Sequence, residues 1–195
     1  MKINYLFSVL LFLAFSCKKT DVEIPLNKTS PTFVNYKIAQ GQHYANNDST
    51  LLLETNYKQL TFICKFDSSA IYNTMSIEHQ SDINKLYGFS DNNMFHQMYS
   101  ARFGWNWLND GLHLWAYTYN DGNRSYKDLG PVALGNEVNC TITVMPTAYI
   151  FGVNGTETSM SRTATTATAI GYKLFPYFGG HEPAPHDITI LIKEL

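Results

Sequence analysis

From residue 32 onward the chain alternates apolar and polar positions in short runs, and long stretches with the 3.6-residue period of an amphipathic helix are hard to find. Residues 32–39, 51–55, 59–66 (QLTFICKF) and 85–90 predict strands, with 68–75 read as a helical turn or a loop. Two meanders follow. Runs 100–108, 112–119 and 124–129 are joined at Asn109-Asp110-Gly111 and Asn120-Asp121-Gly122, and runs 137–145, 149–153 and 156–160 turn at Asn154-Gly155. Asp-Gly and Asn-Gly pairs accept the positive φ of tight hairpins, so each turn has a mechanism. The Thr- and Ala-rich stretch 161–168 predicts a flexible loop. Residues 170–178 and 187–193 predict closing strands, separated by an irregular link at Gly179-Gly180, Pro183 and Pro185. About ten short antiparallel strands with little helix predict an all-β, two-sheet sandwich of the jelly-roll kind.

Period two also sorts side chains by face. Leu112, Leu114, Ala116 and Thr118 share one side of their strand, and His113, Trp115, Tyr117 and Tyr119 the other. On the preceding strand Ala101, Phe103, Trp105 and Trp107 alternate with Ser100, Arg102, Gly104 and Asn106. Trp105 and Trp107 are assigned to the core. Setting the second groups side by side predicts a ligand-binding face of Arg102, Asn106, His113, Trp115, Tyr117 and Tyr119. Rings stack on the apolar face of a pyranose, while guanidinium and amide groups bond its hydroxyls or carboxylates. The competing reading is packing, since rings favour cross-strand pairs in any sheet.

The first residues change the setting. Lys2 precedes an apolar run, 3–15, that is short for a membrane span and predicts a secretory signal over residues 1–16. The run ends Leu13-Ala14-Phe15-Ser16-Cys17, similar to a lipobox, so Cys17 is expected to carry the lipid anchor at the outer membrane, with the periplasmic or surface side open. Residues 17–32, polar and holding Pro25 and Pro31, predict a tether to a single domain over 33–195. A net charge of −2 without basic blocks argues against nucleic acid. Cys64 and Cys140 sit in strand-like runs and allow either a disulfide or two buried thiols. No Cys/His metal spacing exists, and no cofactor is expected. Asp91-Asn92-Asn93 and Asp121-Gly122-Asn123 are the oxygen-rich loops where a structural calcium would sit, although neither has the spacing of a recognised calcium loop.

LYGFSDNN (86–93), SARFGWNW (100–107), LHLWAYTYNDG (112–122) and LFPYFGGHEPAPHDITILI (174–192) together resemble a family of uncharacterised Bacteroidetes lipoproteins. The resemblance runs from about Val34 to the end and implies a concanavalin A-like or laminin G-like sandwich in the cell envelope. Glucanases of that architecture carry Glu-x-Asp-x-x-Glu, because retaining hydrolysis needs two carboxyl groups about 5 Å apart; the motif is absent here. The Arg-x-Glu-x-Arg, Gln-Ile-His and Tyr-Phe-Lys-Ala-Gly strands of alginate lyases are absent too, with Tyr177-Phe178-Gly179-Gly180 only a superficial echo. The expected function is non-catalytic carbohydrate binding. One rival is a polysaccharide lyase, with Arg102 and Asn106 on the uronate carboxylate, His113 or His96 as base and Tyr117 or Tyr119 as acid. Another is a structural or adhesive envelope protein.

Overall fold

A computed structural model describes residues 30–46 and 53–195; the signal over 1–16, Cys17 and nearly all of the tether lie outside the described residues. The folded unit spans Pro31–Leu195. Its strands are β1 (Val34–Ile38), β2 (Glu54–Tyr57), β3 (Gln59–Phe66), β4 (Asn84–Ser90), β5 (Tyr99–Leu108), β6 (Gly111–Asn120), β7 (Asn123–Val132), β8 (Val138–Val144), β9 (Ala148–Val153), β10 (Thr156–Ser161), β11 (Ala169–Leu174) and β12 (Ile188–Glu194). They form two six-stranded antiparallel sheets, ordered β1-β12-β3-β8-β9-β10 and β2-β11-β4-β5-β6-β7. Short 3-10 turns at Ser68–Ala70 and Ile77–His79 are the helical content of the described residues.

The predicted alternation holds in β6: Leu112, Leu114, Ala116 and Thr118 are buried between the sheets. Opposite them on β5, Ala101, Phe103 and Trp105 are buried too, and Trp107 packs against the same core from a partly buried position. Phe103 stands edge-on to Phe62 at 5.5 Å and to Phe151 at 5.2 Å, bridging the two sheets. Such pairs add about 0.5–1.5 kcal/mol each beyond their burial.

The hairpins turn where the sequence indicates, with one shift. Asn109 and Asp110 take φ of 51° and 58° between the paired Leu108 and Gly111, so Gly111 opens β6 and is not part of the turn. Asp121-Gly122 and Asn154-Gly155 make the other two-residue turns. β11 stops at Leu174, short of the predicted 178, because Pro176 has no N–H for a ladder; Tyr177 makes only isolated bridges, to Lys85 and Tyr44. Cys64 and Cys140 are free, buried thiols with Sγ atoms 3.8 Å apart.

The loop at 161–168, expected to be flexible, is strapped down by the buried Arg162, and Thr163 and Thr165 donate their backbone N–H groups to Asn120 and Asn92. Arg162 is buried and its Nε donates to Asp91 Oδ2 at 2.8 Å, while Nη2 donates to the Thr166 carbonyl at 2.8 Å. Tyr149 donates to the same carboxylate oxygen at 2.6 Å. Composition gives no sign of this, since the arginine and the two asparagine side chains outweigh the entropy of a Thr- and Ala-rich segment. A second polar knot ties the sheets together: Glu194 on β12 accepts from Tyr57 and Tyr87 at 2.7 Å each and from Lys173 at 2.5 Å. Burial alone would raise its pKa, but these bonds outweigh burial and hold the carboxyl below its usual range.

Removing one member of the Asp91–Arg162 pair strands a buried charge. Asp91→Asn is therefore expected to lose about 3–5 kcal/mol in equilibrium urea unfolding, with the Asp91→Leu/Arg162→Met double variant losing less than Asp91→Asn.

Candidate functional site

The pleat that sends Phe103 inward turns its neighbours out. Arg102 registers opposite Tyr117, Gly104 opposite Trp115 and Asn106 opposite His113, all on the outer face of the second sheet. On β4, Gly88 faces Arg102, where a Cβ would lie 2.4 Å from the Arg102 Cβ and 2.3 Å from the Ala101 carbonyl. Glycine there lets the arginine lie low on the sheet. β7 adds Arg124, Tyr126 and Asp128, paired with Tyr119, Tyr117 and Trp115.

A groove of ≈ 680 Å³ opens on this face, with Lys85, Arg102 and Tyr117 among its lining. Tyr119 and Arg124 border it from β6 and β7, Tyr172 from β11, and the edge-on pair Tyr44 and Tyr177, 4.9 Å apart, from two connecting segments. His96 and Gln97 border it in the segment between β4 and β5. The Tyr117 ring carries two cations, Lys85 Nζ at 4.9 Å and the Arg102 guanidinium carbon at 5.4 Å from its centroid.

Arg102 is only 8% exposed, and no carboxylate among the described residues forms a salt bridge with it. Its Nε also lacks a hydrogen-bond partner among them. Lys85 donates to the Ile83 carbonyl at 2.6 Å and forms no salt bridge with a carboxylate among the described residues. Burial pulls the Arg102 pKa down from the guanidinium range. Burial, then the charge of Arg102, then that of Arg124, lowers Lys85 to about 8. Burial and the Tyr119 hydroxyl push Tyr117 up to about 12, so it is a neutral phenol at ordinary pH. His96 is pulled down to about 4, first by burial and then by Arg102, and its Nδ1 lies 2.9 Å from the Tyr172 hydroxyl.

The six residues anticipated on this face divide. Arg102, Tyr117 and Tyr119 line the groove. Asn106, His113 and Trp115 do not: Asn106 is wholly buried and accepts the Trp115 Nε1–H at 2.9 Å, and His113 Nδ1 lies 3.0 Å from Asp128. Tyr117 is not an open stacking platform either, because it lies buried under its two cations. The lyase trio Arg102, His113 and Tyr117 is likewise split, since His113 sits four residues along β6 from Tyr117, about 13 Å at strand rise. His181 borders the groove with its Nδ1 3.1 Å from Asp82, and His186 Nε2 bonds the Ser69 carbonyl at 2.8 Å as a structural group.

Lys85, Arg124, Tyr172, Tyr177 and Tyr44 are among the lining residues that strand-by-strand reading misses. Lys85 escapes it because a β-bulge between Lys85 and Tyr87 shifts the alternation by one residue. For calcium, the Asp91 carboxylate is already engaged by Arg162 and Tyr149. Among the described residues no group of three or more His, Cys, Asp or Glu could hold a metal ion.

No protein-family model matches the chain, and no curated protein resembles it in sequence. Among solved structures, the alginate lyase AlyC3 is similar, with a TM-score of 0.57 and 13% identity over 84% of this chain and 74% of that one. Its complex with dimannuronate gives 0.52 and 11% over 84% and 73%. Domains LG4–5 of the mouse laminin alpha1 chain give 0.41 and 17% over 85% and 43%. At these identities the likeness is one of fold, and the chain is a jelly-roll β-sandwich.

The depressed pKa of His96 sets a direction for acid stability. The folded ring stays neutral down to about 4, whereas the unfolded chain takes up its proton near the ordinary 6.5. Stability is therefore expected to fall as pH drops from 6.5 toward 4, and His96→Asn should flatten that part of a thermal-melt pH series.

Proposed function

We propose that this domain binds a carboxylated glycan in the groove of its second sheet without cleaving it, and that an acylated Cys17 holds it at the outer membrane. The observation behind this reading is the pair of cations at the Tyr117 ring, Arg102 and Lys85, neither of which has a salt-bridge partner among the described residues. A buried guanidinium without a counter-charge is costly, and a carboxylate satisfies it bidentately with strong, short hydrogen bonds. Among the groove-lining residues the cations Lys85, Arg102, Arg124 and Lys173 outnumber the one carboxylate, Asp82. The phenols of Tyr44, Tyr172 and Tyr177 supply apolar surface and hydroxyls for the rest of a sugar. AlyC3, which shares the fold, has been solved with an acidic disaccharide, dimannuronate.

A second reading, lyase action on the same ligand, draws on His96. It lies in the groove with Arg102 and Tyr119, and burial keeps its ring neutral near pH 7. Removal of a proton from C5 of a uronate and departure of the C4 oxygen would leave a conjugated double bond. Incubation with uronate polymers is expected to produce no such ultraviolet-absorbing product; its appearance, and its loss in His96→Asn, would establish the lyase.

Arg102→Met should weaken uronate-oligosaccharide binding about 10- to 100-fold by calorimetry, the worth of charge-assisted bonds. Its urea midpoint should hold or rise, because an unpaired buried charge has gone. Binding that survives Arg102→Met overturns the reading.

Lys85 gives the pH arm. With its pKa lowered to about 8, the ammonium is present below that pH and lost above it, so affinity should decline as pH rises past 8. Lys85→Met should bind more weakly throughout and lose that decline.

A further inference from the structure

The outer face does not end at the cationic groove. On β11, Ile170 and Tyr172 register opposite Asn56 and Glu54 of β2, and Leu174 registers opposite Gly88, the partner of Arg102. By pleat alternation these residues face the same side as Arg102. Over them lies a second depression, of ≈ 690 Å³, lined among others by Glu54, Asn56, Asn93, Phe95, Ile170 and Tyr172. Tyr172 lines both depressions, and Phe95 of the second adjoins His96 of the first.

The chemistry changes across Tyr172. The groove is rich in cations, whereas among the described residues the second depression has none in its lining, and its one charge there is the carboxylate of Glu54. Phe95 stands 72% exposed there and Met94 41% exposed, beside the amides of Asn56 and Asn93. A free aromatic ring among amides suits the apolar face and hydroxyls of a pyranose. A carboxylated sugar would meet Glu54 with like charge and, among the described lining residues, no compensating cation. Six strands at about 4.8 Å spacing make the face about 24 Å wide, room for several linked sugars.

We infer that this second depression is a subsite for an uncharged sugar, so that the ligand is a mixed glycan whose acidic residue sits at Arg102 and whose neutral residue stacks on Phe95. The inference rests on the acidic-glycan reading of the groove. It sets the order of sugars along the chain, which the cations alone do not.

The test is calorimetry with two tetrasaccharides, an all-uronate one and one alternating uronate with neutral hexose, together with a uronate disaccharide. The wild-type domain is expected to prefer the alternating tetrasaccharide. Phe95→Ala should weaken that ligand about tenfold while leaving the disaccharide unchanged. Glu54→Gln should strengthen the all-uronate ligand. Phe95 is exposed, and an unchanged melting temperature would show that the fold is retained. Equal or tighter binding of the all-uronate tetrasaccharide by the wild type, or no effect of Phe95→Ala, overturns the mixed-glycan inference while Arg102→Met still weakens binding. Binding indifferent to Arg102→Met, or absent in the wild type for all three ligands, overturns the acidic-glycan reading and the inference with it.

Discussion

The pleat of β5 and β6 couples the core of this protein to its outer face. Phe103 is fixed by edge-on contacts to Phe62 and Phe151 from the opposite sheet, and Trp105 by its contact with Phe66 at 5.2 Å. Because successive side chains leave a strand on opposite sides, fixing Phe103 and Trp105 inward fixes Arg102 and Gly104 outward. A slip of one residue would bury the guanidinium between the sheets and expose the rings, so the register is defended by the whole aromatic core. The position of Arg102 therefore needs no support from the loops around it. Gly88 completes the arrangement by leaving the adjacent strand bare where the arginine crosses it.

This coupling explains which parts of the structure could be read from the sequence. The β5–β6 hairpin was legible because both strands keep their alternation and the turns on either side of β6 are Asn/Asp/Gly pairs able to take positive φ; β7 was marked by its turn, since Asn123 to Asp128 are exposed at successive positions. The facing of Arg102 toward Tyr117 followed from the same two facts. Lys85 was not legible, since one extra residue at Leu86 reverses the phase of β4 and turns a lysine that alternation would bury out toward Tyr117. Tyr44, Tyr172 and Tyr177 were out of reach for another reason: their nearness to Arg102 depends on β11 inserting between β2 and β4, a long-range pairing that local pattern does not encode. The loop at 161–168 went astray because a compositional reading sees the threonines and not the buried arginine and the Asn92 and Asn120 side chains that anchor them.

The two buried arginines make an instructive pair. Arg162 and Arg102 both lose most of their water, but Arg162 recovers it through Asp91, Thr166 and the Tyr149 ring, whose centroid lies 5.7 Å away. Arg102 has a ring at a similar distance and, among the described residues, no carboxylate in a salt bridge with it. A cation–π contact is worth about 0.5–2 kcal/mol, well short of the several kcal/mol needed to desolvate an ion. The deficit at Arg102 is sustained by stability from elsewhere, including the Glu194 knot that joins β12 to β2, β4 and β11. A sequence under pressure for stability alone would place an acid near Arg102 or replace it. On the proposed reading the counter-charge of Arg102 arrives with a ligand, beside Lys85 and the neutral phenol of Tyr117, and among the described residues the lining beyond Tyr172 holds Glu54 and no cation, which would limit how much of that ligand is acidic.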